Sequence, residues 1–203
     1  PLATGVLIIC TGRKTKTIDL LQAEQKTYTG TIRLGVTTPS FDAETDIDSW
    51  GDLSQIDALD IVSISSAASK NLIGPLDQMP PQYSAKKVDG VTAYKAARKG
   101  KTVALKTKPV TVNSFEITSF SEVNIKSENE NSHRVVDVNF EVVCSKGTYI
   151  RALARDLGKV LKVGGTLRAL RRIKSGKFKV ENAWDLSELL DRVKSCAPSI
   201  KNE

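Results

Sequence analysis

Apolar and polar positions along this chain predict short strands and helices intermixed, without a strict alternation of the two. Leu7, Ile8 and Ile9 follow Gly5 and precede Thr11-Gly12, a pattern that predicts a short buried strand ending in a turn. A helix is predicted over Thr15–Ala23, with Ile18 and Leu21 inward. The alternation in Tyr28–Leu34, closed by Gly35, predicts a strand. Residues 37–57 are acidic and turn-rich and read as a long surface loop, a length that itself hints at function. Residues 54–75 carry a weak helical signal ending at Gly74-Pro75. After Pro80-Pro81, Asp89-Gly90 supplies a hairpin-type turn, and Val91–Arg98 a short helix ended by Gly100.

Two further strands are predicted at Val103–Phe115 and Val135–Val143, joined by a polar, mobile segment 122–134. The strongest helical pattern covers Thr148–Leu161. Ile150, Leu153, Ala154, Leu157 and Leu161 share one face, while Arg151, Arg155, Lys159 and Lys162 form a basic stripe. Asp185 with Glu188 forms a capping box for a last helix carrying Leu186, Leu189, Leu190 and Val193. The fold class expected is mixed α/β (α+β): a mixed, largely antiparallel sheet flanked by helices.

Charge changes this picture in one region. Residues 146–179 hold eleven Lys or Arg against one acid, Asp156, a local net charge of +10 where the whole chain carries +7. The remainder is therefore negative, and a segregated positive surface attracts polyanions. The 203 residues can bury a substantial core. No apolar run is long enough to span a membrane. Cys10, Cys144 and Cys196 are scattered without a CxxC pair, which disfavours a disulfide framework or zinc site and fits a reducing compartment. His133, the one histidine, lies in a polar loop and reads as solvated, so chemistry through a His base or a His-rich metal site is disfavoured.

Six segments occur in order: PLATG at 1–5, KTYTGTIRLG at 26–35, MPPQYSAKKVDG at 79–90, KPVTV at 108–112, CSKGTYIRALARDLG at 144–158 and LRALRR at 167–172. Together they closely resemble the TruB family of tRNA pseudouridine synthases over nearly the whole chain. The resemblance implies the pseudouridine synthase fold and isomerisation of the T-loop uridine of tRNA, an isomerase reaction. The N1–C1′ bond breaks, the base rotates and C5 rejoins C1′, with no cofactor and no metal. Such chemistry needs a carboxylate nucleophile, extrusion of the base and an RNA-binding surface. In the family the nucleophilic Asp immediately precedes PLATG, a position before Pro1, so it is expected in a longer N-terminal part. Residues 1–203 alone are expected to be inactive. Asp19, Asp42 and Asp46 do not occupy that motif position.

The resemblance assigns Arg151 to pairing with the nucleophilic Asp, keeping it ionised and aimed. Tyr28 is assigned to stacking on the flipped base and to proton transfer, and Tyr149 to the pocket. Stacking of this kind is worth about 1–3 kcal/mol per base. Leu170 matches a base-contacting position, although a core leucine paired with Leu167 is physically as good a reading. Lys86, Lys87, Arg98 and Lys99 are candidates for the same cleft. Lys146, Arg155, Lys159 and Lys162 are candidates for the RNA backbone. The partner implied is the tRNA T-arm stem-loop, with no membrane. A monomer is expected, in the cytoplasm or, in a eukaryote, an organelle matrix. Residues 1–203 are expected to form one catalytic domain, without the small C-terminal RNA-binding domain that the family often carries. Three alternatives stand beside this reading: a non-catalytic RNA-binding or RNA-folding protein on the same fold, a guide-RNA-dependent pseudouridine synthase, and a DNA-binding domain using helix Arg151–Lys162.

Overall fold

The structure, a computed structural model, describes residues 3–88, 90–127 and 130–196. Along the chain run β1 (Ala3–Gly5), α1 (Ile18–Ala23), β2 (Lys26–Leu34), β3 (Val36–Thr37), β4 (Ser49–Trp50), α2 (Leu53–Asp57), α3 (Ile61–Asn71) and β5 (Gly74–Gln78). Then follow β6 (Lys87–Val88), β7 (Val91–Thr92), α4 (Ala93–Ala97), β8 (Lys108–Lys126), β9 (Ser132–Cys144), α5 (Ile150–Val160), β10 (Gly165–Ser175), β11 (Phe178–Lys179) and α6 (Leu186–Cys196).

The main sheet has seven strands in the order β1-β10-β2-β9-β8-β5, with β11 paired to β10. The β1–β10 pair is parallel and the other pairs are antiparallel, as the mixed, largely antiparallel expectation requires. Residues in register share a face. Ile32 on β2 therefore stands beside Val138 on β9 and Leu167 on β10. With Leu34, Val136, Phe140 and Val142 they cover the face on which α3 and α5 pack through Ile64, Ala68, Leu153 and Leu157. Every one of these side chains is buried. Removing this apolar surface from water is the main stabilising term of the fold.

The opposite face is polar. Arg33 pairs with Asp137 through two hydrogen bonds of 2.7 Å, and Thr31 donates to Asn139 at 2.6 Å. Two close approaches set the layers. A Cβ on Gly158 would lie 2.2 Å from backbone atoms of Gly164 and Gly165, so α5 rests directly on the start of β10. A Cβ on Gly30 would lie 2.4 Å from the Ala169 carbonyl, beside the place where β10 carries an extra residue, Arg168.

Several expectations change. Leu7 and Ile9 are 73% and 64% exposed and lie outside any strand; the strand there is β1, and Val6 alone of this run is buried. The 15–23 helix is a 3₁₀ turn at Gly12–Thr17 leading into the shorter α1. The two long strands extend well past Phe115 and before Val135, leaving a short connection in place of the segment 122–134. Asp89, of the expected hairpin turn, lies outside the described residues. His133 stacks on Trp50 with ring centroids 3.9 Å apart and is half-buried. At the start of α6 the Asp185 carboxylate accepts from the N–H and hydroxyl of Ser187.

Candidate active site

Helix α5 opens the site. Its buried stripe locks it to the sheet, which fixes Tyr149 at its N-terminal boundary and Arg151 in its first turn. The backbone of Tyr149 is clamped by the buried Gln78 side chain at the end of β5. Tyr149 N donates to Gln78 Oε1 at 2.8 Å, and Gln78 Nε2 donates to Tyr149 O at 3.1 Å. An amide side chain can close both bonds at once, and this pair ties the sheet edge to the helix start.

Arg151 Nη1 donates to Asp42 Oδ2 at 2.9 Å. Asp42 belongs to the long acidic loop and is held from three sides. Ser40 Oγ donates to its Oδ1 at 2.6 Å, the Glu44 N–H donates to the same oxygen at 3.0 Å, and Thr38 Oγ1 donates to its carbonyl at 2.8 Å. The preceding Phe41 has φ of 62°, a left-handed conformation uncommon for a bulky residue. Its carbonyl accepts from Leu167 N at 2.9 Å, and its ring lies under the Arg155 guanidinium, 5.0 Å away. Backbone strain of this kind persists where surroundings over-determine it. Here it turns Asp42 toward Arg151.

Tyr28 on β2 and Leu170 on β10 both belong to the helix-bearing face. Tyr28 stands opposite Arg172, and Leu170 stands opposite Gly30 and beside Ala3 of β1. Both pack, partly buried, against the core. Burial pushes the Tyr28 phenol above its ordinary value, and the neighbouring Cys144 adds to this, while the Arg172 guanidinium pulls it back. The phenol is therefore protonated near neutrality and available as a donor.

The segment between β5 and β8 forms the outer wall. Gln82 closes it into a loop by pairing with Val103, Nε2 to O at 2.9 Å and N to Oε1 at 3.1 Å. Tyr94 OH donates to Glu44 Oε1 at 2.9 Å, and Tyr83 meets Tyr94 edge-on. A cavity of about 360 Å³ opens among Glu44, Tyr83, Ser84, Tyr94, Lys95 and Arg151. The Ser84 hydroxyl in its wall is buried without a partner among the described residues.

The motif residues thus separate. Tyr149 caps the start of α5 and Arg151 follows in its first turn, and Tyr28 and Leu170 are one strand apart on the same sheet face. Lys86 is half-buried in the outer wall, while Lys87 and Lys146 are exposed. Arg155 is engaged internally, by both oxygens of Asp156, by the Met79 carbonyl and by the Phe41 ring. Lys159 is exposed and two helical turns beyond Arg151, about 12 Å along the axis. Glu44, Ser84 and Tyr94 were not singled out by sequence, and Asp42 was set aside because it does not occupy the nucleophile's motif position. Asp42 and Glu44 did lie in the loop whose length marked it.

Comparison with known proteins decides the family. A family model described as TruB family pseudouridylate synthase (N terminal domain) matches residues 1–150, and one described as tRNA pseudouridylate synthase B C-terminal domain matches residues 151–200. The chain belongs to the TruB family. It is 43% identical over 187 residues to tRNA pseudouridine synthase B of Flavobacterium johnsoniae, covering 92% of this chain and 74% of that protein. It is 40% identical over all 203 residues to the protein of that name from Parabacteroides distasonis, covering 79% of it, and 44% identical to that of Thermobifida fusca, covering 61% of it. Among solved structures, a chain of a Cbf5-Nop10-Gar1 complex superposes with a TM-score of 0.61 at 24% identity, covering 93% of this chain and 42% of the other, a likeness of fold. TruB membership makes the protein a pseudouridine synthase, an isomerase, as the six motifs implied. The boundary between the two family models falls at the start of α5. Beyond it, β10 inserts between β1 and β2, so the two matched regions share one sheet. No helix among the described residues is long and apolar enough to cross a membrane.

Proposed function

We propose that the protein isomerises a uridine in the T-loop of tRNA, with an Asp directly before Pro1 as nucleophile. That position precedes β1, whose first residue, Ala3, pairs with Leu170 of β10. The observation carrying this reading is Arg151. Its guanidinium is oriented by Asp42 through Nη1 and lines the cavity with its remaining surface. A second carboxylate against that surface would be held ionised and aimed at the sugar or base.

The expelled base takes Tyr28 as a stacking surface and proton-transfer partner, Leu170 as an apolar contact and the Tyr149 region as pocket wall. The balance is closed within the nucleotide. N1–C1′ breaks and C5–C1′ forms, the proton leaves C5 and one is taken up at N1, and no electrons are gained or lost.

The test is a T-arm oligonucleotide incubated with the full-length protein and read by mass spectrometry after derivatisation selective for pseudouridine, which is isobaric with uridine. Arg151→Ala should lower turnover at least a hundredfold while RNA affinity changes severalfold at most. Near-normal turnover in that variant would remove Arg151 from the mechanism. Absence of product from the unaltered protein would sink the T-loop reading.

A further inference from the structure

The face of the sheet opposite α3 and α5 carries a second basic feature, which the catalytic reading does not use. In a regular strand Arg168 and Arg171 would point to opposite faces. In β10 they do not, because the register shifts between Leu167 and Ala169 and again between Arg172 and Lys174. Each shift admits one extra residue and resets the alternation. Arg168 consequently approaches Asp137, at 3.9 Å. Arg171 stands opposite Thr29 and donates to Thr4 Oγ1 at 3.3 Å, and Lys174 stands opposite Thr27. All three basic side chains are exposed on the face away from the helices, about 10 Å apart in sequence along the strand.

Two hollows follow one another along this row. The first, about 480 Å³, lies among Arg33, Thr38, Trp50, Lys126, Thr166 and Arg168. Its Trp50 indole is steadied by the stack on His133. The second, about 390 Å³, is floored by Gly30 and walled by Thr29, Thr31, Asn139 and Arg171. The acids of this face are distributed against a diffuse anion surface. Asp137 is taken up by Arg33, Glu116 and Glu141 sit across on β8 and β9, and Asp46 is at the rim of the first hollow. A polyanion is thus confined to the β10 line.

We infer that this track binds the sugar–phosphate backbone of the tRNA substrate outside its target loop. The inference rests on the tRNA reading above and adds a second contact region to it. Guanidinium and ammonium groups match phosphates, the Thr and Asn side chains match ribose hydroxyls, and the Trp50 indole offers a surface for a base. The track lies beside β1, an edge strand, so an RNA chain passes from the catalytic face to this one over a single short strand.

The experiment compares the full-length protein with its Arg168→Ala/Arg171→Ala/Lys174→Ala variant on intact tRNA and on the isolated T-arm hairpin, with folding checked by thermal unfolding. For intact tRNA the variant should bind at least tenfold more weakly at 0.1 M salt, and the slope of log affinity against log salt should fall by about two. Hairpin affinity and kcat at saturating tRNA should stay unchanged. The Arg168→Lys/Arg171→Lys variant, with Lys174 retained, should restore most of the tRNA affinity. Equal losses on hairpin and tRNA would assign these residues to the catalytic cleft, and no loss on either would leave the track without a ligand; both overturn the inference. Poly-L-glutamate competing as strongly as tRNA would assign the track to an acidic protein and overturn it as well. Failure of the unaltered protein to bind or modify the hairpin would instead strike the T-loop reading.

Discussion

At the residue scale the site depends on a carboxylate that is not its nucleophile. Asp42 accepts from Arg151, Ser40 and Glu44, and its side chain is 13% exposed. Asp42→Ala leaves those donors without an acceptor in a largely desolvated spot. It should lower stability by about 1–3 kcal/mol in urea unfolding. In the full-length enzyme it should lower kcat about 10- to 100-fold with little change in KM, because Arg151 loses the group that orients it. A fall in stability with unaltered kcat would show that the pair merely braces the loop. Cys144 provides a second residue-scale test. Burial raises its thiol to about 11 from an ordinary 9.0, against the opposing pull of the Thr148 hydroxyl and Lys26. The unfolded chain therefore releases this proton first. The stability contributed by the neutral thiol is complete below pH 9 and is lost as pH climbs to 11. The lost contribution is about 3 kcal/mol. Tm should fall over that range, and Cys144→Ala should flatten the decline. Tyr28 titrates in the same sense as Cys144 and Lys26, whose pKa burial lowers, in the opposite one, so the comparison between the two proteins carries the result.

At the element scale α5 is the keystone, since its first turn bears Arg151 and its last packs without a gap on β10. Gly158→Ala sets a methyl group against the backbone of Gly164 and Gly165, neither of which is a flexible side chain. It should cost about 1–3 kcal/mol, read as a lower urea midpoint. That helix was plain in the sequence because its apolar spacing is regular, and β2 was plain because it alternates without interruption. Strand β10 was invisible as a strand for the reason that makes its outer face basic: two extra residues break the period of two, and Leu-Arg-Ala-Leu-Arg-Arg matches no template. Leu7 and Ile9 misled in the opposite way, since apolar composition does not say whether a partner surface is present. Arg151 was legible through its motif. Its tie to Asp42 spans 109 residues, and no local pattern encodes a contact that the tertiary fold alone creates.

At the scale of the whole molecule, basic charge concentrated in about one sixth of the sequence is divided between two faces of one sheet. Arg151 and Arg155 lie on α5, over one face, and are held by Asp42 and Asp156, whereas Arg168, Arg171 and Lys174 lie on the other face and remain exposed. Net charge therefore overstates what any one surface can offer to RNA, and the two faces should show separate salt responses.

The place of β10 in the sheet also governs when the protein can exist at all. During synthesis β1 leaves the ribosome well before its partner in the sheet, which is made more than 150 residues later. Until then β1 has nothing to pair with and β2 presents a bare edge, the kind of edge that recruits other chains. A nascent chain stopped at residue 150 should accumulate as an aggregation-prone intermediate, detectable by protease sensitivity in arrested ribosome complexes. Release of residues through Ser175 should bring protection in one step. Binding competence and the completed sheet then arrive together, so a prematurely terminated product would hold no half-formed site with which to capture RNA.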